Sequence, residues 1–491
     1  MRSAAKDAVI RKGGSMKTQR KAKIVCTIGP VSASDRMVER LILAGMDVAR
    51  LNFSHGDHQF HGQLIERIRK IANKLGRHVA ILQDLQGIKI RVGGLHDGKV
   101  HLLKGSELII RTGKGTGDDK GIYIDFPWLI EDAKVGDTIL LDDGLIALEV
   151  LKKSKGSLAT SVVEGGILKE RKGVNLPNMK VSAPFFTEKD RQDLEFGIAM
   201  NVDYVALSFV RSVNDILTVK KWLSKKGAGM PLIAKIEKGE AIKDIDRILD
   251  EADGLMVARG DLGVEMPLEE VPMFQKMLIE KANRKGRLVI TATQMLESMT
   301  QHTRPTRAET TDVANAVIDG TDALMLSAET SAGKYPVESV KVMNSIITFT
   351  ENSQASAMQQ RENMPIGNVT QEFSGAIAQA ASKAAEEVGA RWIVVFTRSG
   401  FTARLISKFR PKTPVIAFSP EHRVVRQMTL YWGVTPSPVE HFVNTDDLIR
   451  GVDSTLVKLG YAKRGDRVII VASHPPSVSG KTNLMKMHQL T

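Results

Sequence analysis

The chain has 491 residues, 42% hydrophobic and 25% charged, a balance that fits a soluble protein too long for one core and therefore built from two or three domains. Formal charge is +13, and beyond the first 20 residues, which hold six Lys or Arg against one Asp, the rest still carries +8, which suits anionic ligands. With 5% aromatic residues and no stacking platform or recognition motif, phosphorylated small molecules are favoured over nucleic acid. No apolar run approaches the ~20 residues of a membrane span. The single cysteine, Cys26 in KIVCTIGP, excludes a disulfide framework, a thiolate zinc site and a CxxC pair, and a cytoplasmic location is expected.

The leader MRSAAKDAVIRKGGSM lacks the apolar core of a secretory signal and is short and weakly amphipathic for an organellar presequence, and Met16 is a second candidate start. Residues 1–20 are set apart as a basic tail. From residue 21 to 330 eight short apolar runs recur: KIVCTIGP, MDVARLNFSHG, VAILQDLQG, DYVALSFVR, LIAKIEKGE, GLMVARGDLG, LVITATQM and ALMLSAET. Such nearly continuous runs read as strands covered on both faces, and the segments between them, SDRMVERLILAG for example, have helical spacing. The pattern predicts a (β/α)8 barrel over 21–91 and 183–350. Residues 92–182 alternate at period two with turn signals, so an inserted β-rich lid domain is expected there; 351–491 reads as a connector and a smaller α/β domain with an open sheet.

In such barrels the chemistry sits at the C-terminal strand ends, here Thr27, Arg50, Asn52, Asp84, Ser208, Lys235, Glu237, Asp261, Thr293 and Glu329. Glu237 and Asp261 follow consecutive strands and suit one hard cation such as Mg2+; the rival reading is rim salt bridges to Lys235 or Lys238 and to Arg259. Lys235 beside them is placed to meet a phosphoryl group. Gly260 leaves room for backbone N–H groups to approach an anion at the start of a short helix, or marks a plain turn. His55, His58 and His61 straddle a strand-to-helix turn, which favours solvated or capping histidines over zinc ligands. SGKTN at 479–483 lacks the glycine of a phosphate-binding loop, and RTGKGTGDDKG reads as a lid turn.

These motifs, with TIGP, ARLNFSHG, KGVNLP, KIE, MVARGDLGVE, TATQMLESM, PTRAE, DVANAV and DGTDALMLSAET in order from Lys21 onward, resemble the pyruvate kinase family. The resemblance implies phosphoryl transfer from phosphoenolpyruvate to ADP, giving pyruvate and ATP in glycolysis, by an allosteric homotetramer. Glu237 and Asp261 would hold Mg2+, with Mn2+ able to substitute. Lys235 would stabilise the transferring group, with Gly260, Asp261 and Thr293 on the substrate and Thr293 near the enolate carbon. Arg50 and Arg91 would clamp phosphates, and Asn52, His55 and Lys172 would serve the nucleotide.

Many members read LDTKGPEIR where this chain has QDLQGIKIR, and there an acid accompanies K+ held at positions matching Asn52, Ser54, Asp84 and Leu85. Lys89 replaces that acid and carries the same +1 charge as K+, so K+ independence is expected; the rival is a pairing of Lys89 with a lid or rim acid. Ile88 stands where the family has proline. In the C-terminal domain the loop Thr397, Arg398, Ser399, Gly400 and Thr402 corresponds to the family's site for a phosphorylated effector, a sugar phosphate or AMP. Two other readings stand beside this one: another barrel enzyme acting on phosphoenolpyruvate or pyruvate, and an anion- or RNA-binding protein that kept the fold.

Overall fold

Eight parallel strands, buried at every residue except Asn52, close into a barrel in the order 1-8-7-6-5-4-3-2. They are Lys23–Thr27, Val48–Asn52, Ala80–Asp84, Tyr204–Leu207, Leu232–Ile236, Gly254–Ala258, Leu288–Ala292 and Ala323–Leu326, barrel strands 1 to 8. Full burial explains why these runs show no polar alternation: one face meets the barrel interior and the other the surrounding helices. The coordinates are a computed structural model and describe residues 20–177, 179–353, 373–439, 445–474 and 482–491. Most of the basic tail, of the connector after residue 350 and of SGKTN lies outside the described residues.

The barrel is closed at its N-terminal end by a repeat. Strands 2, 4, 6 and 8 are each preceded by an aspartate, Asp47, Asp203, Asp253 and Asp322, whose Oδ2 accepts the N–H of Ile24, Ile81, Leu232 and Val289, at 2.8, 2.8, 3.0 and 2.8 Å. Each aspartate's own N–H donates back to the carbonyl of the same residue. An even-numbered strand is thereby locked to the odd-numbered strand before it in the chain's barrel count.

Residues after strand 3 leave the barrel and form a curled sheet whose central pair is Ile146–Ser154 and Ser157–Glu164. The outgoing and returning chains are stitched together: Val92 N–H donates to the Lys172 carbonyl at 2.9 Å, Arg171 N–H to Val92 at 3.1 Å and Val174 N–H to Ile90 at 3.1 Å. Ile88, in the proline's place, packs with Ile90 on the core of this inserted domain.

The C-terminal sheet runs Val434–Pro438, Val415–Ser419, Trp392–Phe396, Arg467–Ala472 and Leu484–Gln489, with only the last strand antiparallel. Its first and last strands are absent from the sequence reading. VTPSP contains two prolines, which an edge strand tolerates, and LMKMHQ is an exposed edge without apolar alternation. The domain docks on the barrel's N-terminal end. Arg426 reaches Asp203 at 2.9 Å, Arg404 reaches Asp253 at 3.8 Å, and Lys408 and Arg410 reach Asp322 at 2.5 and 2.9 Å.

Candidate active site at the barrel mouth

Lys235 and Glu237 are alternate residues at the end of strand 5, so they share a face. Lys235 is 8% exposed and has one partner for each of its three N–H bonds: Ser208 Oγ at 2.6 Å, Glu237 Oε1 at 3.0 Å and Asp84 Oδ1 at 3.1 Å. The pairing runs on across the mouth. Asp84 Oδ2 accepts from Arg50 Nε at 2.7 Å, and Arg50 donates to Thr27 Oγ1 at 2.9 Å. Glu237 Oε2 accepts the Phe209 N–H at 2.6 Å.

Burial alone would lower the Lys235 pKa, yet Asp84 and Glu237 together carry it above the usual lysine value, so it is an ammonium. Burial would raise Asp84, but Lys235 and Arg50 hold it below the ordinary carboxylate range. Glu237 goes the other way. Burial pushes it up to about 7, Lys235 opposing and the nearby Asp261 charge adding to the rise. Two carboxylates that crowd each other beside one ammonium form a hard-oxygen donor pair short of positive charge, which fits a divalent ion. Among the described residues no group of three or more His, Cys, Asp or Glu forms a metal cage, so protein ligation would rest on these two.

Asp261 lies in the first turn of the helix Arg259–Glu265, the short helix expected after Gly260. The Gly260 amide is not free for an anion, because it donates to Thr293 Oγ1 at 2.7 Å. A Cβ on Gly260 would touch Thr293 at an ordinary 3.5 Å, so the protein itself does not require glycine there. The rival salt bridges divide. Glu237 does pair with Lys235, whereas Lys238 pairs with Glu265 at 2.7 Å and Arg259 with Asp312 at 2.6 Å.

Between mouth and inserted domain lies a cleft of about 260 Å³ lined by Lys89, Arg91, Lys172 and Asp261, with Lys238 and two cations that the sequence reading missed, Arg171 and Arg211. Arg171 is legible only as the neighbour of KGVNLP, and Arg211 as the last residue of the strand-4 run. Lys172 is paired with Asp142 at 2.7 Å, which raises its pKa. Burial lowers the Lys89 pKa, Arg91 and Lys235 lower it further, and Asp261 on the rim and Asp143 in the inserted domain oppose them. Asp84 is already met by Lys235 and Arg50. Of the other residues matched to the K+ position, Asn52 Oδ1 accepts the Ser54 N–H at 3.1 Å, and the Leu85 carbonyl accepts from Ser208 Oγ at 2.8 Å. Burial, with the charges of Lys89, Arg91 and Arg50, lowers the His55 pKa.

The histidine trio is corrected in one member. His58 contacts Asp193 at 2.8 Å, but His61 is neither solvated nor a cap: it is 2% exposed, and its Nε2 lies 2.9 Å from the His55 carbonyl. Far from the mouth, the Thr397–Thr402 loop opens the helix Phe401–Lys408. Thr397 Oγ1 accepts the Gly400 N–H at 3.0 Å, and Thr402 is buried with its hydroxyl 2.7 Å from that of Thr482. Arg398 and Ser399 are the members of the loop that face outward.

The molecule is of the closed (β/α)8-barrel class with a domain inserted after the third strand, and its mouth holds an ammonium between carboxylates beneath a cation-lined cleft. The family model "Pyruvate kinase, barrel domain" matches residues 19–340, and "Pyruvate kinase, alpha/beta domain" matches 375–488. The chain is 48% identical over 478 residues to the pyruvate kinase of Geobacillus stearothermophilus, covering 96% of this chain and 81% of that one. It is 46% identical over 471 residues to the pyruvate kinase of Staphylococcus aureus strain MRSA252 and 45% to that of Staphylococcus epidermidis, covering 96% of this chain and 80% of each. The chain belongs to the pyruvate kinase family.

Proposed function

We propose that this protein transfers the phosphoryl group of phosphoenolpyruvate to ADP, giving pyruvate and ATP, with Mg2+ or Mn2+ held by Glu237 and Asp261. The observation that carries this reading is Lys235, buried and charged between Asp84 and Glu237. A divalent ion held there would supply Lewis-acid charge to the transfer. Lys235, held by Ser208, Asp84 and Glu237, would present its ammonium to the transferring group. Arg50, fixed by Asp84 and Thr27, and Arg91 clamp phosphate oxygens, while Asn52, His55 and Lys172 bind the nucleotide and Thr293 stands at the enolate carbon. Closure of the inserted domain excludes water as a competing acceptor.

Lys89 supplies the charge that K+ brings elsewhere in the family, and the Thr397–Thr402 loop takes a phosphorylated effector through Arg398 and Ser399, in a cytoplasmic homotetramer. Pyruvate formation from phosphoenolpyruvate and ADP with Mg2+ tests the whole reading, run with and without K+ and with a panel of sugar phosphates and AMP. Activity is expected without K+, and Lys89→Glu creates a K+ requirement; strong K+ activation of the unmodified enzyme refutes that part. Glu237→Gln and Asp261→Asn are each expected to lower kcat/KM at least 100-fold. Retention of activity by both ends the metal assignment.

A further inference from the structure

Thr293 and Gln294 have φ of +69° and +52°, two consecutive non-glycine residues in the left-handed region, the first of them β-branched. That conformation is costly for such side chains and persists only where the surroundings impose it. Arg259 is the group placed to impose it. Its Nη2 donates to the Thr293 carbonyl at 2.7 Å and its Nε to the Ala292 carbonyl at 3.2 Å, on either side of the peptide that enters the turn. The far side of the guanidinium is anchored by Asp312 at 2.6 Å and Gln275 Oε1 at 3.2 Å. Gln275 is buried and is itself tied to Asp319 at 2.9 Å. In the conformation so held, Thr293 Oγ1 accepts the Gly260 N–H at 2.7 Å and donates to the Ala292 carbonyl at 2.6 Å, which fixes the hydroxyl against the first turn of the Asp261 helix.

We infer that Arg259 is a positioning residue for the reaction: its planar fork holds the backbone of Thr293 in the left-handed conformation that sets the Thr293 hydroxyl beside the helix carrying Asp261. This rests on the reading of Thr293 as part of the reacting site. A lysine keeps the charge but presents a single ammonium, which does not span two carbonyls and an anchoring carboxylate. Arg259 therefore acts by shape, and a residue that lowers the cost of positive φ stands in for part of its effect.

Steady-state kinetics of Arg259→Lys, Asp312→Asn, Thr293→Ala and the double variant Arg259→Lys/Gln294→Gly test this, with circular dichroism to check folding. Arg259→Lys is expected to lower kcat at least tenfold while moving KM for phosphoenolpyruvate and ADP less than threefold. Asp312→Asn, which loosens only the anchor, is expected to give a smaller loss in the same parameter. Glycine at the exposed position 294 is expected to restore about tenfold of the Arg259→Lys loss, because glycine takes positive φ without steric cost. If Thr293→Ala loses activity but Arg259→Lys keeps kcat within twofold, or Gln294→Gly restores nothing, the positioning role is wrong. If Thr293→Ala itself keeps full activity, the reading of Thr293 fails and the inference with it. Should Arg259→Lys not fold, Asp312→Asn with and without Gln294→Gly decides by the same criterion.

Discussion

The hydrogen-bond roles of His61 follow from its partner. A carbonyl only accepts, so Nε2 carries the proton toward His55, and the buried Nδ1, which has no hydrogen-bond partner, is the bare nitrogen of a neutral ring. The ring stacks on Phe53 at 4.1 Å, which fixes the Asn52–His55 turn from beneath. Burial lowers its pKa, only partly offset by the His55 carbonyl and Asp193. The folded-state pKa thus lies below the unfolded value of ~6.5, so this site's contribution is full above that value and is lost as pH falls through the folded pKa. His61→Leu should cost ~1–3 kcal/mol at pH 7.5 by leaving the His55 carbonyl unpaired, and His61→Gln less, since its amide can donate in place of Nε2. Urea unfolding at pH 7.5 and 5.5 checks this: the gap between the unmodified protein and His61→Leu should narrow at the lower pH. A gap that widens contradicts the neutral tautomer. A second titration is open to test: Lys89→Gln removes a cation that, with burial, depresses His55, so the His55 imidazole pKa, read by NMR, should rise.

At the scale of elements, the helix Glu188–Ala199 returns the chain from the inserted domain to the barrel, and its start is a capping box. Thr187 Oγ1 accepts from Asp190 N–H at 3.1 Å, and Asp190 Oδ2 accepts from the Thr187 N–H at 3.1 Å. Asp190 Oδ1 also accepts the Gly87 N–H at 3.0 Å, so one carboxylate ties the returning helix to the outgoing loop, where Gly87 has φ +65°. Thr187→Ala should cost ~1 kcal/mol as a lost cap. Asp190→Ala should cost ~2–3 kcal/mol because the Gly87 amide is orphaned as well. Equal midpoints for the two variants in urea would remove the tie. This contrast marks what the sequence discloses. The eight strands and the acids and cations at their ends are legible because burial on both faces writes continuous apolar runs that stop abruptly. The Gly87 tie and the Arg259 clamp are not, because a polar side chain's partner lies across the fold and nothing in local spacing distinguishes Arg259–Asp312 from the rival Arg259–Asp261.

For the whole molecule, the question is how the C-terminal domain is held to the barrel, and the answer is charge buried at the ends of the aspartate repeat. Lys408 ends the helix that begins at the Thr397–Thr402 loop, has no exposed surface, and donates to Asp322 at 2.5 Å and Asn283 Oδ1 at 2.8 Å. Arg410, stacked over Trp432 at 4.7 Å, shares Asp322. Removing the acid leaves two buried cations uncompensated, so Asp322→Asn should destabilise by ~3–5 kcal/mol, whereas Lys408→Met leaves Asp322 with Arg410 and the Val289 N–H and should cost far less. The pH dependence separates these further. Burial lowers Lys408 from 10.5 to about 7 against the pull of Asp322, so between those values the unfolded chain binds more protons than the folded one. Stability from this group therefore rises with pH across that window, and the methionine variant lacks the rise. Relative to the unmodified protein, Lys408→Met should look best near pH 6.5 and worst near pH 9.5, read as the difference in unfolding midpoint. A difference that stays flat between those pH values would mean that Lys408 stays charged throughout, with Asp322 overcoming burial. The helix that begins at the Thr397–Thr402 loop would then end on a permanent ion pair rather than on one that weakens as the pH rises.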